Sequence, residues 1–144
     1  MKKNNQPGVR CYMRYDGIYV YEVNDLSLNT LDTWEDHLIS VHSSHDKPVK
    51  QIYDLQAVHS VSFTLPKTIK RVIRIPYTES VALAIVVPNT MMWGLLELTL
   101  HYLPRNRYIQ VFLNTEEAVQ WLGQQNVHKL TLPSNVSNQI SASY

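Results

Sequence analysis

One cysteine, four scattered glycines and no long apolar run limit this 144-residue chain before any motif is sought. Cys11 has no partner for an intramolecular disulfide, and in an alternating apolar stretch it reads as a small buried hydrophobe rather than a nucleophile. A reducing compartment fits. The glycines never cluster, so no glycine-rich loop is available to cradle a nucleotide phosphate, and no serine stands in a Gly-x-Ser-x-Gly elbow. Thirteen basic against twelve acidic residues leave a formal charge of +1, which supplies no global field for nucleic acid or an anionic membrane. No stretch reaches the roughly 18 apolar residues of a membrane-spanning helix. The opening MKKNNQPG has two lysines with no apolar run behind them, so no signal peptide is expected and the expected location is the cytoplasm.

What is present is a folding composition, 44% hydrophobic and 17% charged, at a length suited to one core. Two β-branched and aromatic runs, residues 9–15 and 18–23, flank Asp16-Gly17 and predict a hairpin. Leu31, Trp34, Leu38 and Val41 recur at helical spacing over 29–43, and residues 49–55 follow as a strand. Leu65-Pro66 after Thr64 predicts a helix start, with its end near Arg74 because Pro76 follows. Residues 80–87 form an unbroken apolar run of the kind found in a central strand covered on both faces. A helix over 90–103, a strand over 107–113 and a helix opened by Asn114-Thr-Glu-Glu complete the order β-β-α-β-α-β-α-β-α. The prediction is a single α/β layered domain with a mixed, mostly parallel five-stranded sheet. It spans residues 9–126, between a flexible N-terminus (1–8) and a Ser/Asn-rich tail (127–144) in which 129–132 could add an edge strand.

Few residue groups point to chemistry. His37, His42, His45 and Asp46 are the richest candidate metal cluster, but spacings of five and three on a helix that then unravels do not guarantee convergence, and solvent-facing histidines near a helix C-terminus are the better reading. Glu97 and His101, four apart, read as a surface ion pair before an acid–base pair; catalysis would require them to line a deep pocket. No cofactor, metal or enzymatic activity is expected. Two helix surfaces carry more. Lys67, Lys70, Arg71 and Arg74 form a basic stripe able to meet an acidic partner, a phosphate or an anionic headgroup, although a solvated helix face is the better reading. The helix over 90–103 is apolar almost all round, leaving Thr90, Gly94, Glu97 and His101 as its polar strip, so Met91, Met92, Trp93, Leu96 and Leu100 are expected to meet a partner or ligand, ahead of the blander reading in which the C-terminal tail folds back over them.

The order of elements, the Tyr53-Asp54-Leu55 strand ending and the stretch VFLNTEEAVQWL resemble the STAS-like superfamily of anti-sigma factor antagonists over about residues 10–123. The final helix, with Glu116, Glu117, Ala118, Trp121 and Leu122, is similar to its small bacterial branch. The resemblance implies protein–protein regulation, and the superfamily is similar in shape to CRAL-TRIO-type lipid carriers. In the phosphorylated antagonists the strand leads through Asp-Leu into Asp-Ser-Ser-Gly at a helix N-terminus. Here Asp54-Leu55 leads to Ser62-Phe63-Thr64 without the aspartate or glycine, which makes a helix cap the better reading and phosphorylation at Thr64 or Ser62 the minority one. The expected function is therefore a non-enzymatic interaction or regulatory domain, a homodimer or a partner of another protein through the helix over 90–103. The alternative is a carrier or sensor of a hydrophobic small molecule or lipid.

Overall fold

The computed structural model describes residues 7–44, 47–59, 65–78, 81–103 and 108–125, the side chains of 77 and 78 excepted. The N-terminal segment before these residues and the tail from 126 on, with the edge strand considered for 129–132, lie outside them. The elements are β1 (Val9–Met13), β2 (Tyr19–Val23), α1 (Leu28–His42), β3 (Lys50–Asp54), α2 (Leu65–Thr78), β4 (Ala82–Val86), α3 (Thr90–His101), β5 (Ile109–Phe112) and α4 (Thr115–Gly123). Their order is the one the sequence predicts.

The five strands lie side by side in chain order, β1 antiparallel to β2 and the rest parallel. Right-handed crossovers between strands laid down in that sequence send each connecting helix to the same face. Alternation along the strands then divides the core in two. Tyr21, Tyr53, Ile85 and Val111 stand in register on the face shared with α1, α2 and α3, where Trp34, Leu38, Ile69, Val72, Met92 and Leu96 meet them. Val20, Ile52, Ala82, Ala84 and Val86 point the other way, toward Ala118 and Leu122 of α4. Alanines on both sides of that contact let the short helix lie close to β4, and every residue of β4 is buried as a doubly covered strand requires.

The hairpin differs from the two-residue turn suggested by Asp16-Gly17. Arg14 donates its amide to Ile18 and accepts from Gly17, so the loop has three residues, and Gly17 holds the left-handed position at φ 86°. Close approach fixes Gly8 as well: a Cβ there would come within 2.0 Å of the Asp25 carboxylate, which accepts from the Thr30 hydroxyl that in turn accepts from the Gly8 amide.

The second correction concerns Pro76, which lies inside α2 instead of ending it. A proline at 76 cannot donate to the carbonyl of Val72, four residues back. That carbonyl is satisfied from outside the helix, because the buried Tyr53 hydroxyl of β3 donates to it at 2.5 Å. The same bond gives the Tyr53 hydroxyl its partner in the core. Tyr53→Phe is expected to cost about 1–3 kcal/mol in urea unfolding, and clearly less in a Pro76→Ala background, where the new amide takes over the carbonyl. Equal costs in the two backgrounds would contradict the exchange.

Candidate functional site: the outer flank of α3

Asn89 starts α3 by accepting the Met92 amide on its side chain at 2.9 Å. At about 100° per residue the helix then sorts its side chains into rows. Met92, Leu96 and Thr99 form the inward row; Met92 and Leu96 are 0% exposed. Trp93 and Leu100 form one flank. The Trp93 indole N–H donates to the Val111 carbonyl at 3.3 Å. Because the Tyr108 and Phe112 carbonyls accept from β4, the alternate Val111 carbonyl faces the open edge of the last strand, and the indole covers it.

The opposite flank carries Met91, Leu95, Leu98 and Tyr102 at steps of four, three and four, the spacing of a helix–helix seam. Leu95 is half-buried, whereas Met91, Leu98 and Tyr102 are 70%, 53% and 76% exposed. This corrects the expected surface. Of Met91, Met92, Trp93, Leu96 and Leu100, two are core, Leu100 packs half-buried against the core, Trp93 serves the β5 edge, and Met91 alone lies on the exposed row. Leu98 and Tyr102 join Met91 because, at about 100° per residue, they fall on the same flank, a division that the overall apolar excess of the helix does not reveal.

The basic stripe also changes. Arg71 donates to Asp32 at 2.6 Å and to Glu35 at 2.9 and 3.0 Å, and Arg74 donates to Glu35 at 3.1 Å. Asp32 and Glu35, three apart, share the flank of α1 that meets α2, so these arginines tie two helices together, and the hydrogen bonds to both carboxylates raise the Arg71 pKa. Of the stripe, Lys67 and Lys70 remain as exposed cations outside these pairs.

His37 and His42 are not the solvent-facing groups expected from the helix pattern. Half-buried His37 sits between two tyrosines of β2, with the Tyr19 hydroxyl 3.4 Å from Nε2 and the Tyr21 hydroxyl 3.3 Å from Nδ1. Buried His42 has its Nε2 3.0 Å from the Gln51 side-chain amide. Both lie inward because α1 crosses β2 and β3. Among the described residues no three His, Cys, Asp or Glu side chains converge as a metal site; His45 and Asp46 lie outside those residues, as do Ser62 and Thr64. Glu97 and His101 are exposed on the outer side of α3, not set in a pocket. Burial pushes the Cys11 thiol up to about 11, which keeps it protonated and unreactive at neutral pH.

Structures that share this arrangement include an RsbS variant from Moorella thermoacetica, at a TM-score of 0.61 and 13% identity over 80% of this chain and 94% of that one. An anti-sigma factor antagonist from Mycobacterium paratuberculosis matches at 0.58 and 15% identity over 85% and 99%. An uncharacterized protein with a SpoIIAA-like fold from Shewanella loihica matches at 0.58 and 13% over 85% and 98%. The chain has the SpoIIAA-like, or STAS-like, fold. No protein-family model and no curated protein sequence matches it. Among the described residues of this STAS-like domain, no helix is long and apolar enough to cross a membrane.

The His37 site gives the domain a pH dependence of definite sign. Desolvation lowers the pKa of His37 from its ordinary 6.5, so the unfolded chain takes up the proton first as pH falls. Stability from this group is complete above pH 6.5 and declines below it until the folded-state pKa is passed. Urea titrations between pH 7.5 and about 5 should show a steeper loss for the wild type than for His37→Gln; parallel curves would remove His37 as the cause.

Proposed function

We propose that this STAS-like domain is a non-enzymatic regulatory module that works by docking protein, and that the row Met91, Leu95, Leu98 and Tyr102 is the docking surface. The observation that carries this reading is the row itself: three large side chains exposed side by side on one helix flank, at a spacing that seats another helix. Methionine and tyrosine are enriched where proteins meet, and the row holds no charge to desolvate. The fold supports a regulatory role, since it is shared with structures named as anti-sigma factor antagonists. The occupant proposed for the row is a second copy of the chain, and another protein with an amphipathic helix fits by the same chemistry.

The carrier alternative draws on the same excess of apolar surface and on the α2 cations. Met92 and Leu96 fill the core beneath α3, and Arg71 and Arg74 are engaged by α1, which favours docking on the outside over a lipid held within. Native mass spectrometry after gentle purification separates the two, because a carrier retains a small molecule.

Sedimentation velocity tests the docking row. The wild type should self-associate at tens of micromolar, and Leu98→Glu should weaken the association at least tenfold, about 1.4 kcal/mol, with an unchanged circular dichroism spectrum. A wild type that stays monomeric throughout, or a Leu98→Glu variant that associates equally well, would count against the row as a self-association surface.

A further inference from the structure

The two edges of the sheet are treated differently. At β5 the Trp93 indole takes the outward Val111 carbonyl. At β1, Asn24 donates to Gly8 and Arg14 to Ile18, so the even-numbered residues bond to β2, and the amides and carbonyls of Val9, Cys11 and Met13 face away from it. Among the described residues no hydrogen bond reaches those outward groups. Where this edge ends, Met13 and Tyr15 are 57% and 96% exposed. The chain leaves α4 at that same end of the sheet. The helix starts where the parallel strands finish, with the Thr115 hydroxyl accepting from Gln56 just past β3 at 3.1 Å, and it runs about 13 Å back toward their starting ends. Because β1 runs the opposite way, its last residue Met13 lies there too, opposite Tyr19.

We propose that residues 130–136 add a sixth strand to the free edge of β1, antiparallel to it, with Leu132 opposite Met13, Ser134 opposite Cys11 and Val136 opposite Val9. Handedness selects both the edge and the direction. The helices α1, α2 and α3 carry the chain from β2 to β5 across one face, and α4 packs Ala118 and Leu122 on the other. A right-handed crossover on that second face must return toward β1, because the first three advanced toward β5. A strand laid there parallel to β2–β5 is antiparallel to β1. Length permits it: the seven residues 126–132 extend to about 24 Å, against about 19 Å for the four strand spacings from β4 to the new position. Pro133 fixes the parity. Having no amide, it belongs where a strand faces away from its neighbour, so the even-numbered residues of the segment bond to β1. Leu132 then shares a face with Met13, and Leu130 comes abreast of Tyr15, the two exposed side chains at that end. Charge chooses among registers of this parity. Sliding the segment deeper along β1 sets Lys129 against Arg14, or against Tyr12 between the two arginines, whereas this register opposes Thr131, Pro133 and Asn135 to Arg14, Tyr12 and Arg10. The new outer edge is interrupted by Pro133, as natural edge strands are. The inference is independent of the α3 row.

NMR of the full chain at several protein concentrations tests it, reading amide hydrogen exchange and cross-strand nuclear Overhauser contacts. The amides of Val9, Cys11 and Met13 should be protected to the same degree at every concentration, and Hα–Hα contacts should join Arg10 to Asn135 and Tyr12 to Pro133. Leu132→Pro removes an amide that faces β1 and should speed exchange at Cys11 and Met13 at least tenfold. Thr131→Pro removes one that faces away and should leave them protected. Fast exchange in the wild type overturns the proposal. Protection that appears only as the protein is concentrated also overturns it, by giving the edge to a second copy. So does protection without the Hα–Hα contacts, or protection that survives Leu132→Pro.

Discussion

The handedness of the crossovers is the constraint from which the rest of the structure follows. Strands β2 to β5 are parallel and adjacent in chain order, so each connection must leave one end of the sheet, cross a face and return. All three connecting helices therefore share a face, and α4, after the last strand, is left to cover the other. Residue types follow this division. The shared face holds the large rings Tyr21, Trp34 and Tyr53, with Tyr53 packed edge to face against the other two, while the face under α4 is lined by Ala82 and Ala84 where β4 meets the short helix.

Position in the helix row then decides how each helix is finished. The α1–α2 seam is closed by Arg71 and Arg74 on Asp32 and Glu35, so those helices use their charges on each other. Surface pairs of this kind contribute only about 0.2–1 kcal/mol each, and their larger effect is to fix which flanks meet. Last in the row, α3 turns one flank toward the end of the sheet, where Trp93 covers the β5 edge. Among the described residues its other flank is apolar, with Met91, Leu98 and Tyr102 exposed, and the proposed docking function rests on that excess. Pro76 shows the same logic inside the fold: a helical bond lost at α2 is replaced by one from Tyr53 beneath it.

Much of this architecture was legible in the sequence because it depends on periodicity. The unbroken apolar run of β4, the helical spacing of Leu31, Trp34 and Leu38, and the Asn114 cap, which accepts the Glu117 amide at 2.8 Å, are local signals that the packing preserves. What was not legible depends on neighbours in space. Pro76 reads as a terminator because nothing in the sequence says that Tyr53 will supply the Val72 carbonyl. Arg71 and Arg74 read as free cations because Asp32 and Glu35 are 39 residues away from one or the other in the chain. His37 falls on the polar side of α1 by pattern, yet the tyrosines of β2 enclose it. At the candidate site the sequence carried the excess of apolar residues on α3 but not its division into a core row, an edge-capping flank and an exposed row.

Met91 and Met92 are adjacent in sequence and opposite in fate, which turns the central claim into a single comparison. Methionine oxidation by dilute peroxide, followed by mass spectrometry over a range of protein concentrations, reads both at once. If the flank holding Met91 is the docking surface, Met91 oxidises rapidly in dilute protein and becomes protected as the protein is concentrated or its partner is added, while Met92 stays slow throughout. Equal rates at the two residues in dilute protein, or a Met91 rate that never responds to concentration or partner, would contradict the account.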